Sequence, residues 1–186
     1  MVTIQVFVAL ILWVLHGHAV NGLAIIESNL ENISNANHLE PILSNDKYPS
    51  FKLDNSYYKI HTDPQVWNDA RKICNNEGGY LAILNTDLEA RYLTSLINGL
   101  YPYSSLDDSI PNKYFIFIGF HDYFQNGEYV TIDGLNIEKS GFNNWSPGEP
   151  SSPGVENCGS IERNGLLNDY FCDAKSIFIC EIPAKQ

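Results

Sequence analysis

The spacing of hydrophobic and polar positions changes along this 186-residue chain, and the changes predict an α+β fold. Between residues 63 and 79, apolar residues recur at intervals of three and four, which is typical of an amphipathic helix. Asp63 can cap this helix, Pro64 suits its first position, and Gly78-Gly79 predicts its end. The residues predicted to face the core are Val66, Trp67, Ala70, Ile73 and Cys74.

A second helix is predicted to start at Thr86. The segment Thr86-Asp87-Leu88-Glu89 has the pattern of a capping box, in which the side chains of Thr86 and Glu89 accept hydrogen bonds from each other's backbone N–H groups. Gly99 predicts the end of this helix. The residues expected on its buried face are Leu88, Tyr92, Leu93 and Leu96.

Strand-like patterns of β-branched and aromatic residues occupy four further segments, which are 51–61, 113–120, 127–134 and 177–182. In contrast, the stretch 148–172, "GEPSSPGVENCGSIERNGLLNDYFC", is too rich in Gly and Pro to predict a helix or a strand. It is therefore predicted to be a long loop, and loops of that length are usually functional when they are ordered. The whole pattern predicts one α+β domain over residues 51–186.

The first 50 residues have a different pattern and are predicted to lie outside this domain. An apolar run from Val6 to Leu15, followed by small residues at Gly17 and Ala19, is typical of a secretory signal peptide over residues 1–19. The run is shorter than the roughly 20 residues that cross a bilayer, so we expect a secreted, extracellular protein and no membrane insertion. Residues 20–50 are rich in Asn and Ser and predict a flexible N-terminal extension.

Charge and cysteine content narrow the range of functions. The formal net charge of −11 disfavours nucleic acid as a partner, because an acidic surface repels phosphate backbones, and it suits divalent cations. Four cysteines in a secreted chain are expected to form disulfides, and their spacing alone leaves three pairings open. Asn32 and, more weakly, Asn144 lie in glycosylation sequons.

The predicted loop carries an unusual number of oxygen-bearing side chains. Glu149, Glu156 and Asp169 offer carboxylates, and Asn168 offers an amide oxygen. Ca²⁺ takes roughly six to eight oxygen ligands of these kinds. Three carboxylates gathered without a cation would repel one another, and one of them would have to protonate. A bound Ca²⁺ removes that difficulty, so the loop predicts a calcium site.

Short motifs in a fixed order identify the family that the chain resembles. They are Trp67…Ala70…Cys74, "FIGF" at 117–120, "NW" at 144–145, "GEPS" at 148–151, "ENC" at 156–158, "NGLLND" at 164–169 and "FICE" at 178–181. Over about residues 57–182 they resemble the C-type lectin domain, and within that family the small secreted insect lectins, among which a galactose-binding type occurs. The resemblance implies two helices flanking two small antiparallel sheets, with a long calcium-binding loop region.

The resemblance also implies covalent and metal-binding roles. Disulfides would join Cys74 to Cys180 and Cys158 to Cys172, and Pro150 would follow a cis peptide bond, as it usually does in family members with metal bound. Sugar hydroxyls would complete the coordination of one calcium ion. The residues implied to hold that ion are Glu149, Ser151, Glu156, Asn168 and Asp169.

Several positions depart from the family pattern. Ser151 stands where the motif has Asn, so one short hydroxyl replaces an amide, and calcium affinity or sugar preference could differ. Leu167 replaces a Trp that packs beneath the site in the family, which puts local rigidity in doubt. An accessory calcium site is not expected, because Asp122 matches the pattern but Asn126 and Ser152 stand where carboxylates are usual.

The sugar preference is the finest expectation that the resemblance supports. In the resembling lectins, Glu-Pro-Asn goes with mannose-type sugars and Gln-Pro-Asp with galactose, and Glu-Pro-Ser is neither. Tyr170 follows Asn168-Asp169, where the family often places a residue that touches the sugar, and an aromatic face there could stack on the apolar side of galactose. We therefore expect galactose-type sugars, with mannose- or fucose-type sugars as the alternative.

These features predict a calcium-dependent lectin and not an enzyme. Its partners would be glycans on bacterial or blood-cell surfaces, in innate immunity or agglutination, and a homo-oligomer would supply avidity for weak single sites. A glycosidase is disfavoured, because carboxylates that bind calcium cannot serve as its acid and nucleophile. The remaining alternative is a lectin-like protein that binds protein partners without sugar.

Overall fold

Two helices and eight strands form in the described part of the chain, residues 47–108 and 110–184 of a computed structural model. The helices are α1 (Trp67–Asn76) and α2 (Asp87–Leu100). The strands are β1 (Ser50–Leu53), β2 (Ser56–Gln65), β3 (Tyr80–Leu81), β4 (Phe115–His121), β5 (Val130–Thr131), β6 (Cys158–Glu162), β7 (Leu167–Tyr170) and β8 (Ser176–Pro183). The predicted signal peptide, most of the predicted extension and Asn32 lie outside the described residues.

The strands are hydrogen-bonded in the order β1-β2-β8-β4-β6-β7, while β3 pairs with β8 and β5 with β4. The α+β fold is confirmed, but one expected detail differs. The strands form one mixed sheet instead of two separate antiparallel sheets, because Phe117 in β4 and Phe178 in β8 form a parallel pair that connects the two halves. No helix among the described residues is long and apolar enough to cross a membrane.

Alternation along the central strands divides the buried residues between two groups. Neighbouring residues of a strand point to opposite faces of a sheet. In β8, Ile177 and Ile179 belong to one group, whereas Phe178 and Cys180 belong to the other. The first group also contains the buried apolar residues of α2, and the second contains those of α1 and the core cysteines. Each helix therefore covers its own part of the core.

Helix α1 starts later than the sequence predicts. Asp63 and Pro64 do not begin the helix, because they lie in β2, whose pairing with β8 continues to Gln65. The carboxylate of Asp63 accepts a hydrogen bond from Lys47 instead of capping the helix. The predicted inward residues Trp67, Ala70 and Cys74 are buried, whereas Val66 and Ile73 are only partly buried. Strand pairing has thus overridden a local capping signal.

Helix α2 starts where the sequence predicts, at the Thr86 cap. Thr86 Oγ1 accepts a hydrogen bond from Glu89 N at 3.1 Å. The side chain of Glu89 is buried and accepts hydrogen bonds from donors other than Thr86 N. Its Oε2 accepts from Asn85 N at 2.7 Å, and its Oε1 accepts from the Tyr58 hydroxyl at 2.6 Å. The predicted face is displaced as well, since Leu88 is 52% exposed. The buried residues of the helix are Glu89, Ala90, Leu93, Thr94 and Ile97.

Replacing Thr86 with Ala is expected to lower the free energy of unfolding by about 1 kcal/mol, because the N–H of Glu89 loses its acceptor. Urea denaturation measures the change. Ser95→Ala is a suitable control, since Ser95 is exposed within the same helix and caps nothing. A loss in Ser95→Ala equal to that in Thr86→Ala would contradict the capping role.

The predicted long loop at 148–172 contains two strands that the sequence analysis missed. Its first part, up to Asn157, is without regular structure, but β6 and β7 form an antiparallel hairpin in which Cys158 pairs with Tyr170 and Ile161 with Leu167. The hairpin escaped detection because its turn, at Arg163 to Leu166, and the Gly- and Pro-rich start of the segment dominate the composition. The site residues near its end therefore stand on a strand of the sheet.

Both disulfides join the cysteines that the resemblance implies. Cys74 in α1 is bonded to Cys180 in β8, across a sequence separation of 106 residues. Cys158 in β6 is bonded to Cys172, just after β7, across a separation of 14 residues. The first bond ties an early helix to the last strand, and the second closes the open end of the β6–β7 hairpin.

Candidate functional site

The turn before Pro150 places Glu149 beside strand β7. Glu149 N donates a backbone hydrogen bond to Ser146 O at 2.9 Å, which closes the turn. Gly148 has a φ of 94°, a conformation that residues with a side chain rarely adopt. The peptide bond between Glu149 and Pro150 is cis, as the resemblance implies. This segment thus runs directly alongside the predicted ligand Asp169.

Asp169 is the residue on which the site converges. Its side chain is buried, and three donors hold its carboxylate. Oδ2 accepts from the Tyr129 hydroxyl at 2.7 Å and from Ser152 N at 3.4 Å. Oδ1 accepts from Ser151 N at 3.2 Å. The backbone after Pro150 therefore docks on Asp169, and the orientation of this carboxylate is fixed.

Glu149 brings a second carboxylate to the same place. Burial, then its contact with the Asp169 carboxylate, raises the pKa of Glu149 above the usual value of a glutamate, and the charge of Glu156 adds to this effect. Its Oε2 is buried and has no hydrogen-bond partner among the described residues. A hydrogen bond from Ser151 offsets only part of this increase in pKa, so an ionised Glu149 has one buried oxygen without a compensating donor.

Glu156 and Ser151 complete the cluster on its exposed side. Ser151 Oγ donates a hydrogen bond to Glu156 Oε2 at 3.3 Å. Because Ser151 N bonds to Asp169, this one residue contacts two carboxylates of the site. The hydroxyl of Ser151 therefore lies where it can take part in the cluster despite being shorter than the Asn of the family motif.

Asn168 is held through its amide nitrogen, and the ligand role of its amide oxygen stays a prediction. It neighbours Asp169 in β7, and neighbouring strand residues point to opposite faces. Its amide nitrogen donates to Ser160 Oγ at 3.3 Å and to the backbone carbonyl of Asp169. The structure therefore brings Glu149, Ser151, Glu156 and Asp169 together, and it holds the amide nitrogen of Asn168 inside the hairpin.

Tyr170 packs against the sheet. Its ring centroid is 4.9 Å from that of Phe115 and 6.1 Å from that of Phe117, and the residue is only partly exposed. These contacts favour a packing role. A sugar contact through this ring stays a prediction.

Tyr129 is a site residue that the sequence analysis missed. Its side chain is buried, and its hydroxyl lies 2.7 Å from Asp169 Oδ2 and 3.3 Å from the carbonyl oxygen of Glu156. Its ring packs against that of Trp145, with centroids 5.0 Å apart. A tyrosine in a strand-like segment 40 residues from its partner carries no local signal of this role, because such a pattern also describes an ordinary core residue.

Leu167 fills the position of the family's tryptophan beneath the site. It is fully buried, Leu167 N donates to Asn144 O at 2.8 Å, and Leu167 O accepts from Ser146 N at 2.9 Å. These backbone bonds anchor the turn that carries Glu149 to β7. Asn144 itself is exposed, and its side-chain amide donates to Asp87, so glycosylation there stays a prediction.

Asp122, the residue that matches the accessory site pattern, is already hydrogen-bonded within the protein. Its Oδ1 accepts from Asn157 Nδ2 at 2.6 Å, and its Oδ2 accepts from Gly127 N at 2.7 Å. The side chain is fully buried. Internal donors therefore satisfy this carboxylate.

The clustered residues fit a hard divalent cation. Glu149 contacts the Asp169 carboxylate, and Ser151 links Asp169 to Glu156. One oxygen of Glu149 is buried without a hydrogen-bond partner among the described residues, and the pKa of Glu149 is raised by burial and by its acidic neighbours. Calcium prefers oxygen ligands of this kind, and its charge would offset the repulsion among them. Glu149, Glu156 and Asp169 are the carboxylates that would hold it, with Ser151 beside them, and the amide oxygen of Asn168 stays a predicted ligand.

Comparisons with known proteins identify the family of the domain. The family description "Lectin C-type domain" matches residues 63–182. Hemolymph lipopolysaccharide-binding protein of Periplaneta americana is 41% identical over 128 residues, which cover 68% of this chain and 48% of that protein. C-type lectin domain family 6 member A of Mus musculus is 30% identical over 131 residues, which cover 68% of this chain and 56% of that protein. The chain thus spans about half the length of these curated relatives.

A solved structure supports the same assignment. It is the cow C-type carbohydrate-recognition domain of CD23 in the presence of a GlcNAc2Man3 oligosaccharide, which is 25% identical and superposes with a TM-score of 0.60. The similarity covers 74% of this chain and 95% of that chain. Since the family match also includes most of the described domain, this chain belongs to the C-type lectin domain family.

Proposed function

We propose that this protein is a secreted, calcium-dependent lectin that binds terminal galactose-type sugars on microbial or host-cell surfaces. Family membership makes the chain a carbohydrate-binding domain and not an enzyme. Calcium, the type of sugar and secretion are the additional steps of the proposal. The observation that carries it is the pairing of Glu149 with Asp169, beside Glu156, with one buried oxygen that no donor contacts.

Each residue of the cluster has a distinct part in this function. Glu149, Glu156, Asp169 and the amide oxygen of Asn168 would hold calcium, which when bound offers positions for two neighbouring sugar hydroxyls. The carboxylate oxygens facing those hydroxyls would accept their hydrogen bonds. Tyr129 and the backbone N–H of Ser151 orient the Asp169 carboxylate, so less ordering remains to be done when ligand binds.

The choice of galactose-type sugars depends on Ser151. Its hydroxyl donates its one hydrogen to Glu156, so this corner of the site presents a hydroxyl oxygen that accepts, where mannose-type relatives present an amide with two N–H donors. The packing of Tyr170 on Phe115 leaves its predicted stacking role weaker than the argument from Ser151. Mannose- or fucose-type sugars are the alternative within the same calcium site.

The microbial target is supported by the Periplaneta relative, which is named for binding lipopolysaccharide. A saccharide contact made through two hydroxyls buries little area, so a single site is expected to bind weakly. Several sites on one surface or one assembly would then be needed for firm attachment. Glycans of a microbial surface offer such repeated ligands.

Retention on galactose-agarose in calcium, with release by EDTA, is the expected result for the full chain with both disulfides formed. Mannose-agarose serves as the matched column and should retain less protein. Retention on mannose alone would correct the sugar and keep the calcium site. Passage through both columns by protein that binds calcium in calorimetry would favour a protein partner, and undiminished retention in EDTA would refute the calcium requirement.

A further inference from the structure

A groove of about 540 Å³ lies along helix α1, and none of the predicted calcium ligands lines it. Asn68, Arg71 and Asn75 come from the helix, while Tyr123 and Phe124 follow β4. A volume of this size is in the range of pockets that hold small molecules, roughly 300 to 1,000 Å³. The groove is therefore large enough for one or two sugar rings.

Arg71 is held in the groove by neutral partners. Its Nε and Nη2 donate to Asn68 Oδ1 at 3.2 and 3.0 Å. When the Asn75 amide is oriented so that its nitrogen donates to Gly79 O, its oxygen accepts from Nη1 at 3.3 Å. Among the described residues, no carboxylate forms a salt bridge with Arg71. The guanidinium is thus oriented by amides and retains free N–H donors.

Two aromatic residues at the groove are exposed. The side chain of Phe124 is 83% exposed, although its ring lies 5.2 Å from the ring of His121. Tyr123 is 52% exposed, and its hydroxyl is 3.2 Å from Cys158 Sγ. Aromatic faces of this kind pack on the apolar faces of sugar rings. They lie in the same groove as the Arg71 guanidinium.

Asp133 restricts which anions suit the groove. It lines the groove with Tyr80, and its carboxylate accepts a hydrogen bond from the Thr131 hydroxyl. A bare anion or a highly charged polymer would be repelled by this carboxylate and by the net charge of −11. A sugar with a single anionic group suits both charged residues of the groove. Its anion can pair with Arg71, and its ring hydroxyls can donate hydrogen bonds to Asp133.

We propose that this groove binds one sugar residue that carries a carboxylate or a phosphate, and that it does so without calcium. The charged group pairs with Arg71, the ring packs on Phe124, and the amides of Asn68 and Asn75 hold the guanidinium in place. The site is separate from the proposed calcium site, so a glycan could occupy both or either one.

Titration calorimetry in EDTA tests the proposal with glucuronic acid and glucose 6-phosphate as probes and glucose as the neutral match. We expect at least one acidic probe to bind roughly tenfold or more tightly than glucose, since charge-assisted bonds are about twice as strong as neutral ones. Arg71→Gln should reduce the affinity for that acidic probe to the affinity for glucose. Arg91→Gln removes the same charge from an exposed position of α2 and should change nothing. Phe124→Ala should weaken the binding of the acidic probes and of neutral glucose alike.

The comparison between the two acidic probes shows which anion the groove accepts. Equal affinity for glucose and the acidic probes, or equal losses in Arg71→Gln and Arg91→Gln, would overturn the proposal. So would the absence of binding by both acidic probes to protein whose thermal unfolding in EDTA is cooperative. Arg71→Gln should still be retained on galactose-agarose in calcium, which separates this site from the proposed calcium site.

Discussion

Replacing Glu149 with Gln is expected to weaken calcium binding on the order of 100-fold and to abolish retention on galactose-agarose. The substitution keeps the shape of the side chain but removes one of the three carboxylates of the cluster, the one that contacts Asp169. The number of charged ligands is a main determinant of calcium affinity in protein sites. Calorimetry with calcium measures the first effect, and column retention measures the second.

The same substitution should not destabilise the fold in EDTA. The pKa of Glu149 is raised in the folded state, so the folded protein favours the protonated form. The stability from this group is fully present below the pKa of the unfolded chain and is lost as pH rises from there through the higher pKa of the folded state. At neutral pH the ionised side chain is therefore unfavourable without calcium, and the neutral Gln should leave the free energy of unfolding unchanged or slightly higher. Loss of calcium affinity without loss of stability distinguishes a ligand from a packing residue.

Glu138→Gln is the matched control for Glu149→Gln. Glu138 is exposed in a short 3-10 turn at Ile137–Lys139. Replacing it with Gln therefore removes the same charge from the protein's surface. Its calcium affinity should equal that of the original protein. A comparable loss of affinity in both variants would mean that net charge, and not ligation, governs calcium binding, and the proposed site would be wrong.

The helices show where sequence reasoning about this fold succeeds and where it fails. Thr86 was predicted correctly because its hydrogen bond to Glu89 N is local, between residues three apart. Asp63 was a similar local signal, but the partner strand β8 extends β2 to Gln65 and keeps this segment from becoming helix. Long-range pairing is not visible in a capping pattern, and β7 was missed for the same reason.

The sequence predicted some residues of the candidate site and could not predict others. Motif order placed Glu149, Glu156 and Asp169 in one cluster, and the structure brings these side chains together. Motif order could not reveal Tyr129, whose hydroxyl reaches Asp169 only through the packing of two sheet segments. The orientation of Asn168 was also unavailable, because it depends on the register of the β6–β7 hairpin, in which it pairs with Ser160.

Removing the disulfide between Cys74 and Cys180 is expected to cost about 4 to 5 kcal/mol of unfolding free energy, and removing that between Cys158 and Cys172 about 3 kcal/mol. The reason is loop closure in the unfolded chain, since the two bonds span 106 and 14 residues. Double Ala variants, compared by urea denaturation in EDTA, measure the difference. Equal losses would contradict loop closure as the dominant contribution.

Calcium affinity should follow the opposite order to stability in these two variants. Cys158 and Cys172 close the hairpin end next to Glu156 and Asp169, so without this bond the carboxylates must be ordered when calcium binds. Cys74 lies in α1 and Cys180 in β8, and neither element carries a residue of the calcium cluster, so their loss should leave affinity unchanged wherever the protein remains folded. Calorimetry at low temperature tests this, and a larger loss of affinity in the Cys74 variant would show that the site depends on global stability and not on the local bond.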